Sequence, residues 1–467
     1  MDRFVGGYRL RRNVVQLGGD QFHHCRIALV RMMDQIFDQF GSGLPLGDGD
    51  VWPEVDLAPV SMAVPWTEPG PPAPETIADD MRTRAGRTVE LLGAEMGPED
   101  SGLLWSAVFS VEGLAAPIFV WLEETDAPTA KHAADMAGVP EHHWTMVWQT
   151  RLEGKDAVAD WGMVLRTIGW SWPGTPAVHD LELSRWVMRE EVLEPLLADE
   201  ELEPAVESLW WVSASQREPG SPAWLKTSGL NRLGLPELEF LEVPVPLVPT
   251  TAHLLDELAA RIAEDGPPPP GTRMAVGPEL ELRAVPPREV LSVLPEDMPG
   301  QAADREPDAA PSIVFTGPEK IGATRPTWPP ATSVLQRLAD EPCVVYRATR
   351  STKRRAHLAR QTWDDLGMVH AKMARLDAKA LVAVKAAFGP ESAREHCWLR
   401  LDTLEGNTAS GVLDADARMV PGLQQGDTHK VNRDEISDWC VVLNEARFDP
   451  ESVPALWRAV DALNPRQ

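Results

Sequence analysis

Residues 395–413 read EHCWLRLDTLEGNTASGVL, and this stretch decides the fold of the C-terminal part of the chain. Apolar Cys397, Leu399 and Leu401 alternate with Trp398, Arg400 and Asp402. That is the period of two which turns one set of side chains to a core and the other away from it. Glu405-Gly406-Asn407 supplies turn chemistry and Ser410–Leu413 returns, so the stretch predicts an antiparallel hairpin. Ahead of it, Ala359, Trp363, Leu366, Val369, Met373 and Leu376 recur every three or four residues and predict one amphipathic helix over 353–376. Ala380–Phe388 before the hairpin, and Thr428–Val431 and Glu435–Val442 after it, read as further strands. A helix followed by an antiparallel meander is therefore the architecture expected for 331–467.

Upstream, the stretch PEDMPGQAADREPDAAP lies within a Pro-rich segment, 295–330, that reads as an interdomain linker. It closes off an α+β body over 51–294, of one or two subdomains. In this body Pro74–Met96 is expected as a helix, and a second helix starts at Asp126 and stops at Gly138. Strands are expected at Leu103–Val111, Pro117–Leu122, His143–Leu152 and Gly162–Trp172. Leu181–Trp211 reads as mostly helical, broken by Pro195 and Pro204. Thr251–Asp265 is the clearest helix, with Thr251 as cap and Gly266 as stop, and Met274–Val285 reads as a strand pair. Strands and helices mix without a βαβ rhythm, so the fold class is α+β, a mixed body followed by a small helix-plus-meander domain. Residues 1–50 are weakly patterned and are expected to be a flexible extension, or the product of an over-long gene prediction.

Of 467 residues, 43% are hydrophobic and 25% charged, as in an ordinary folded protein. No window reaches the roughly 18 apolar residues of a membrane span. The four cysteines form no CxxC pair, and no apolar core of a signal peptide follows the early arginines. These features predict a reducing, cytoplasmic setting and no membrane. The net charge is −27, yet residues 1–31 sum to +4 and residues 347–379 to +6, which leaves −37 for the rest. So acidic a surface repels phosphate backbones, so no nucleic-acid partner is expected. The basic block is expected as a solvated helix face or one docked on the acidic body; an anionic-ligand site is the alternative.

Chemistry-bearing patterns are few. His396, Cys397, His429 and Cys440 share the C-terminal domain, but neighbours on a strand face opposite ways, so His396 and Cys397 cannot both hold one ion without a bulge. His23-His24-Cys25 and His142-His143 lack the spacing of metal sites, and no HExxH, GxSxG, Walker or GxGxxG pattern occurs. No metal, no cofactor and no catalytic residue is assigned. The 18 tryptophans, twelve of them between Trp52 and Trp211, read as a tryptophan-rich core, with a partner-binding face as the alternative.

One set of residues carries a family resemblance. Ala359-Arg360-Gln361-Thr362, Glu395-His396-Cys397-Trp398, Gly422…Gly426-Asp427 and Ile436-Ser437-Asp438-Trp439 together resemble the YegJ-like bacterial domain of unknown function. The family's N-E-P turn is replaced here by Asp414-Ala415-Asp416-Ala417. The resemblance implies a bacterial source and singles out Glu395, His396, Trp398, Gly426, Asp427, Asp438 and Trp439 as candidate binding residues. It implies no activity. Upstream, Trp224-Leu225-Lys226-Thr227 and Gly234-Leu235-Pro236-Glu237-Leu238-Glu239 are similar to a segment that precedes such domains in other uncharacterised bacterial proteins. The resulting expectation is a non-catalytic binding module for a protein partner, with a basic partner and a toxin-neutralising (immunity-type) role fitting the charge. The alternatives are a hydrolase of unrecognised type, with its site between body and C-terminal domain, and a structural component of a larger assembly.

Overall fold

Three β-sheets, each with its own helices, follow one another along the chain. The computed structural model describes residues 51–463 except 100, 278, 306–308, 320–327, 341–349, 377–379, 391–393 and 418–419. The extension expected over 1–50, with His23, His24 and Cys25, lies outside the described residues, as does Cys343.

The first sheet has seven strands, β1 (Val60–Trp66), β2 (Val89–Met96), β3 (Leu103–Val111), β4 (Ile118–Glu124), β5 (Trp144–Thr150), β6 (Ala177–Asp180) and β7 (Arg185–Met188), in the order 2-3-4-5-1-6-7. All its pairings are antiparallel. Trp105, Ala107, Phe109 and Val111 of β3 and Met146 and Trp148 of β5 are buried in the main core. That core also takes in the helices α1 (Pro74–Ala85) and α3 (Ala157–Ser171), whereas α2 (Ala127–Ala137) packs near β7. Three expectations are corrected here. The helix expected over Pro74–Met96 ends at Ala85, because Gly86 takes the left-handed conformation (φ 61°) and closes it; Val89–Met96 is the edge strand β2. Gly162–Trp172 is not a strand but most of α3, which Asp156 caps by accepting from the N–H groups of Val158 and Ala159. Its glycines serve close packing: a Cβ on Gly169 would lie 2.8 Å from the Leu197 side chain, and one on Gly162 3.0 Å from Pro204. Nor is Leu181–Trp211 mostly helical. It holds β7, one π turn (Arg189–Leu193), the short α4 (Glu194–Ala198) and a 3-10 turn (Val206–Leu209). The carbonyls of Leu196, Asp199, Glu200 and Leu202 turn onto the Arg166 guanidinium of α3 instead of continuing a helix.

The second sheet contains β8 (Trp211–Ser215), β9 (Ala223–Ser228), β10 (Glu237–Val243), β11 (Arg273–Gly277), β12 (Leu280–Val285) and β13 (Ser312–Thr316), in the order 11-12-13-10-9-8. Only the β10–β13 pair is parallel. The interdomain linker expected over 295–330 is corrected: β13, between Pro311 and Pro329, is buried along its length and pairs on both sides within the second sheet, and Trp328 packs against Trp224 and Leu241, so this stretch belongs to the body. Helix α5 (Val248–Asp265) supplies Leu254, Leu255, Leu258 and Ile262 to the core. Thr251 is inside it rather than at its cap, because Pro249 opens the first turn and the Thr251 hydroxyl donates to the Leu247 carbonyl (2.8 Å). The short α6 (Arg288–Leu291) follows β12, and α7 (Thr332–Asp340) adds Val334, Leu335 and Leu338 to the core it shares with the first two sheets. A buried ion network crosses between those sheets. Arg232, 1% exposed, donates twice to Asp180 (2.8 and 2.6 Å) and once to Glu182 (3.1 Å).

The third sheet, β14 (Ala380–Phe388), β15 (Glu395–Glu405), β16 (Thr408–Leu413), β17 (Thr428–Asn432), β18 (Ile436–Leu443) and β19 (Ala446–Phe448), runs 17-16-15-14-18-19 and is wholly antiparallel. The expected α+β architecture, helix followed by meander, is present, with one refinement: β18 returns to the free edge of β14. Three residues, Arg433–Glu435, make that return. Asn432 and Ile436 can be at most about 14 Å apart, whereas four inter-strand steps across a flat sheet would need about 19 Å. The sheet therefore curls, and Phe388 of β14 meets the His429 ring of β17 at 5.2 Å. The helix expected over 353–376 is two: α8 (Arg350–Gln361) and α9 (Trp363–Leu376) break at Thr362, whose hydroxyl accepts from the Trp439 indole (2.9 Å). α10 (Val453–Ala462) completes this core with Leu456 and Val460.

Candidate functional site

The sequence-predicted residues divide among three places. On the third sheet, Val382, Val384 and Ala386 of β14 face the core, which turns Lys385 to the opposite, outer face. Register puts Lys385 directly between Trp398 of β15 and Asp438 of β18. The Lys385 ammonium lies 5.8 Å from the Trp398 ring centroid and the Arg447 guanidinium of β19 lies 5.6 Å from the same ring. Arg355 of α8 approaches Asp438 at 3.8 Å. His396, on β15, contacts the Ser437 hydroxyl through Nδ1 (2.7 Å). Trp398, His396 and Asp438 are thus brought together, and Glu395 begins the same strand.

Electrostatics mark this face as unusual. Burial pushes the Lys385 ammonium below its ordinary pKa, and the cations of Arg355 and Arg447 push the same way against Asp438. Burial likewise raises the Asp438 carboxyl, which Arg355 partly offsets. His396 is lowered by burial, then by Lys385 and Arg394. Burial also raises Cys440, on the same face, against the pull of Arg447. Several titratable groups displaced from their ordinary values in one place are a signature of functional sites, though structural ion networks share it.

Trp439 and the Gly426-Asp427 pair are not part of this cluster. Trp439 is fully buried on the core side of β18. Gly426 adopts φ 92° and its N–H reaches the Leu413 carbonyl, while the Asp427 carboxylate accepts from Gln424 N–H (2.8 Å). Both hold the turn that leads into β17. Cys397 sits in the core, its thiol pushed up to about 11 by burial, on the face opposite His396. A thiol so displaced holds little thiolate at neutral pH. Among the described residues no group of three His, Cys, Asp or Glu side chains is placed to hold a metal ion. Trp148, Trp161 and Trp210 of the body are fully buried, and Trp66 and Trp172 pack ring to ring at 4.7 Å.

Apart from these residues, a cleft of about 890 Å3 lies between α3, α5 and α8. The basic block expected to be solvated or docked is docked here. Arg350 pairs with Asp156 and Glu203, and Arg354 with Glu451 and the Glu203 carbonyl. His357 contacts Asp199 at 2.6 Å, and Gln361 donates to the same carboxylate. Burial alone would raise the Asp156 carboxyl, but hydrogen bonds from Arg350 and from the cap N–H groups hold it below its ordinary range. Asp199 is held low by its contact with His357 first. Leu358 of α8 is buried in the body core while Ala359 belongs to the C-terminal core, so one helix serves both.

Lys385, Arg447 and Arg355 were not legible as site residues. They come from three elements; strand register joins Lys385 and Arg447, and the packing of α8 against β18 brings Arg355, and the one signal is a lysine inside the otherwise apolar run ALVAVKAAF. No described helix is long and apolar enough to cross a membrane. No curated protein and no solved structure matches the chain. Two families do. The one described as "Protein of unknown function (DUF4026) C-terminal" matches residues 210–315, the span of the second sheet, so the likeness to known domains is not confined to the C-terminal part. The one described as "Uncharacterized protein conserved in bacteria (DUF2314)" matches residues 352–459, from α8 into α10. The second sheet and the C-terminal unit are thus each similar to an uncharacterised domain, the latter conserved in bacteria.

Proposed function

We propose that the protein is a non-catalytic interaction module of the bacterial cytoplasm. Its acidic body, 51–294, holds a basic protein partner in the manner of a toxin-neutralising protein. In this reading the body extends through β13 and α7, and the YegJ-like domain begins at α8. The observation that carries it is the docking of α8. The most basic described helix is turned inward onto Asp156, Asp199 and Glu203. The body's carboxylates already accommodate one guanidinium-rich surface, and the strongly acidic remainder is left for a second. Charge complementarity of this kind sets association rate and salt dependence more than contact area does. The test is capture of partners from the host on the immobilised full chain, followed by affinity measurement at rising salt. A basic protein whose dissociation constant rises by tenfold or more between about 0.05 and 0.5 M salt supports the reading. A partner that is neutral or acidic, or binding indifferent to salt, overturns it.

The cleft favours a second reading, a hydrolase with its site between body and C-terminal domain. Its charged lining is largely spent on internal pairs, with Arg350, Arg354 and His357 each engaged. Hydrolytic activity against ester or amide substrates that disappears in His357→Gln, while the fold persists, would favour it over the binding module.

A further inference from the structure

We propose that the open edge of β2 binds an extended, basic segment of a protein partner, which joins the first sheet as a further strand. The inference deepens the acidic-body reading above and rests on it for the sign of the partner's charge. β2 ends the first sheet and, among the described residues, pairs only with β3. It is eight residues long, whereas the other edge strands, β7, β8, β11, β17 and β19, have three to five. Strand edges are blunted by brevity, by lysine or proline, or by a covering group. β17 carries Lys430, and Arg261 of α5 donates to the Ala275 carbonyl of β11 (3.1 Å). β2 is guarded only in its first half, where Arg82 of α1 donates to the Val89 carbonyl (2.6 Å) and a bulge falls between Leu91 and Gly93. From Leu92 to Met96 every residue is exposed.

Backbone direction and chemistry say what fits there. The Gly97 N–H donates to the Leu104 carbonyl (2.8 Å), so Gly97 faces β3. Successive residues of an antiparallel strand face alternate sides, which points the backbone groups of Met96 and Ala94 outward. Leu92 and Met96 are 55% and 80% exposed and supply apolar contact beside them. Glu90, Glu95 and Glu99 make no ion pair among the described residues, and no Lys or Arg occurs between Val89 and Leu103. Opposite charges across a strand pair stabilise it and like charges oppose it. The edge therefore favours a strand bearing Lys or Arg over a second copy of this chain, whose own β2 carries the same carboxylates.

The experiment uses the full chain and two synthetic strands, acetyl-Lys-Val-Thr-Val-Lys-Val-amide and the same peptide with Glu for Lys. Hydrogen exchange is followed residue by residue. The expected result is slower exchange over Gly93–Met96 with the basic peptide and no change with the acidic one. Ala94→Pro removes an outward N–H without touching the ladder to β3, and should weaken the basic peptide by about tenfold. Should that variant fail to fold, Glu95→Lys, an exposed position, should still weaken it by about fivefold. No protection over 93–96, or protection unchanged in these variants, overturns the proposal. So does protection that grows with the concentration of the chain alone, which would make a second copy the occupant. A basic host protein held equally well by the unaltered chain and by Ala94→Pro overturns the edge and leaves the acidic-body reading standing. Binding indifferent to salt overturns that reading and, with it, the charge assigned to this partner.

Discussion

The chain is held together by two ion-paired joints built in opposite ways. Between the first two sheets, Arg232 is 1% and Asp180 0% exposed, with continuous apolar packing around them. Between body and C-terminal unit, Arg350, Asp156 and Glu203 are 32–42% exposed and line an open cleft. The first joint is expensive to break because a buried charge left alone has no water to turn to. The second is cheap, since exposed pairs contribute roughly 0–1 kcal/mol each and are screened by salt. The two sheets of the body should therefore unfold as one, while the C-terminal unit can separate first.

The most severe way to test that contrast is Arg232→Met. It strands Asp180 and should cost about 3–5 kcal/mol in urea unfolding. Adding Asp180→Asn in the same chain should recover part of the loss, and no recovery would mean that packing rather than charge holds this joint. The double variant Arg350→Gln/Arg354→Gln should cost about 2 kcal/mol or less. It should speed hydrogen exchange in α8 while leaving β9 and β10 protected, and high salt should reproduce the effect in the unaltered chain. The pH dependence has a fixed sign. Asp156 and Asp199 have folded pKa values below their unfolded ones, so their stabilisation is present above the ordinary aspartate value of 3.8 and is lost as pH falls through the lower, folded values. Acid should therefore loosen α8 as those two carboxylates protonate, and loosening already complete at pH 6 would exclude them as the cause.

The smallest expected effect lies away from both joints. His179 stacks on Trp186 at 4.6 Å and is held by burial down to about 4. The unfolded chain takes up a proton near pH 6.5 that the folded chain refuses until about 4, so stability falls as pH drops through this window. His179→Phe keeps the stack and removes the proton site, so the difference in melting temperature between pH 7 and pH 5 should shrink.

What was legible in the sequence was local. The alternation at Cys397–Leu401 and the stripe of α5 survive because one face of each is buried and the other is not. α3 was misread for a physical reason. Buried over most of its surface, it shows no amphipathic stripe, and Gly162 and Gly169 look like strand breakers when they are contact points for Pro204 and Leu197. β2 was misread because Leu91 and Leu92 continue the spacing of α1 past Gly86, and only the sheet partner decides otherwise. In the candidate site, Trp398 and Asp438 came from motif resemblance. Lys385 needed the pairing of β14 with β15 and β18, and Arg447 that of β19 with β18, non-local facts no local pattern encodes.

The three-residue passage from β17 to β18 has a consequence for how the chain is made. β14 pairs from Ala380 to Ala386 with β18, so one long side of this central strand has no partner until β18 has been synthesised. Until then a ribosome-bound chain presents the apolar run from Leu381 to Ala386 as an open edge, the kind of surface on which strands of other molecules add. Closure of the sheet therefore waits on β18, and any premature stop before it would yield a product prone to aggregate rather than a shorter working protein.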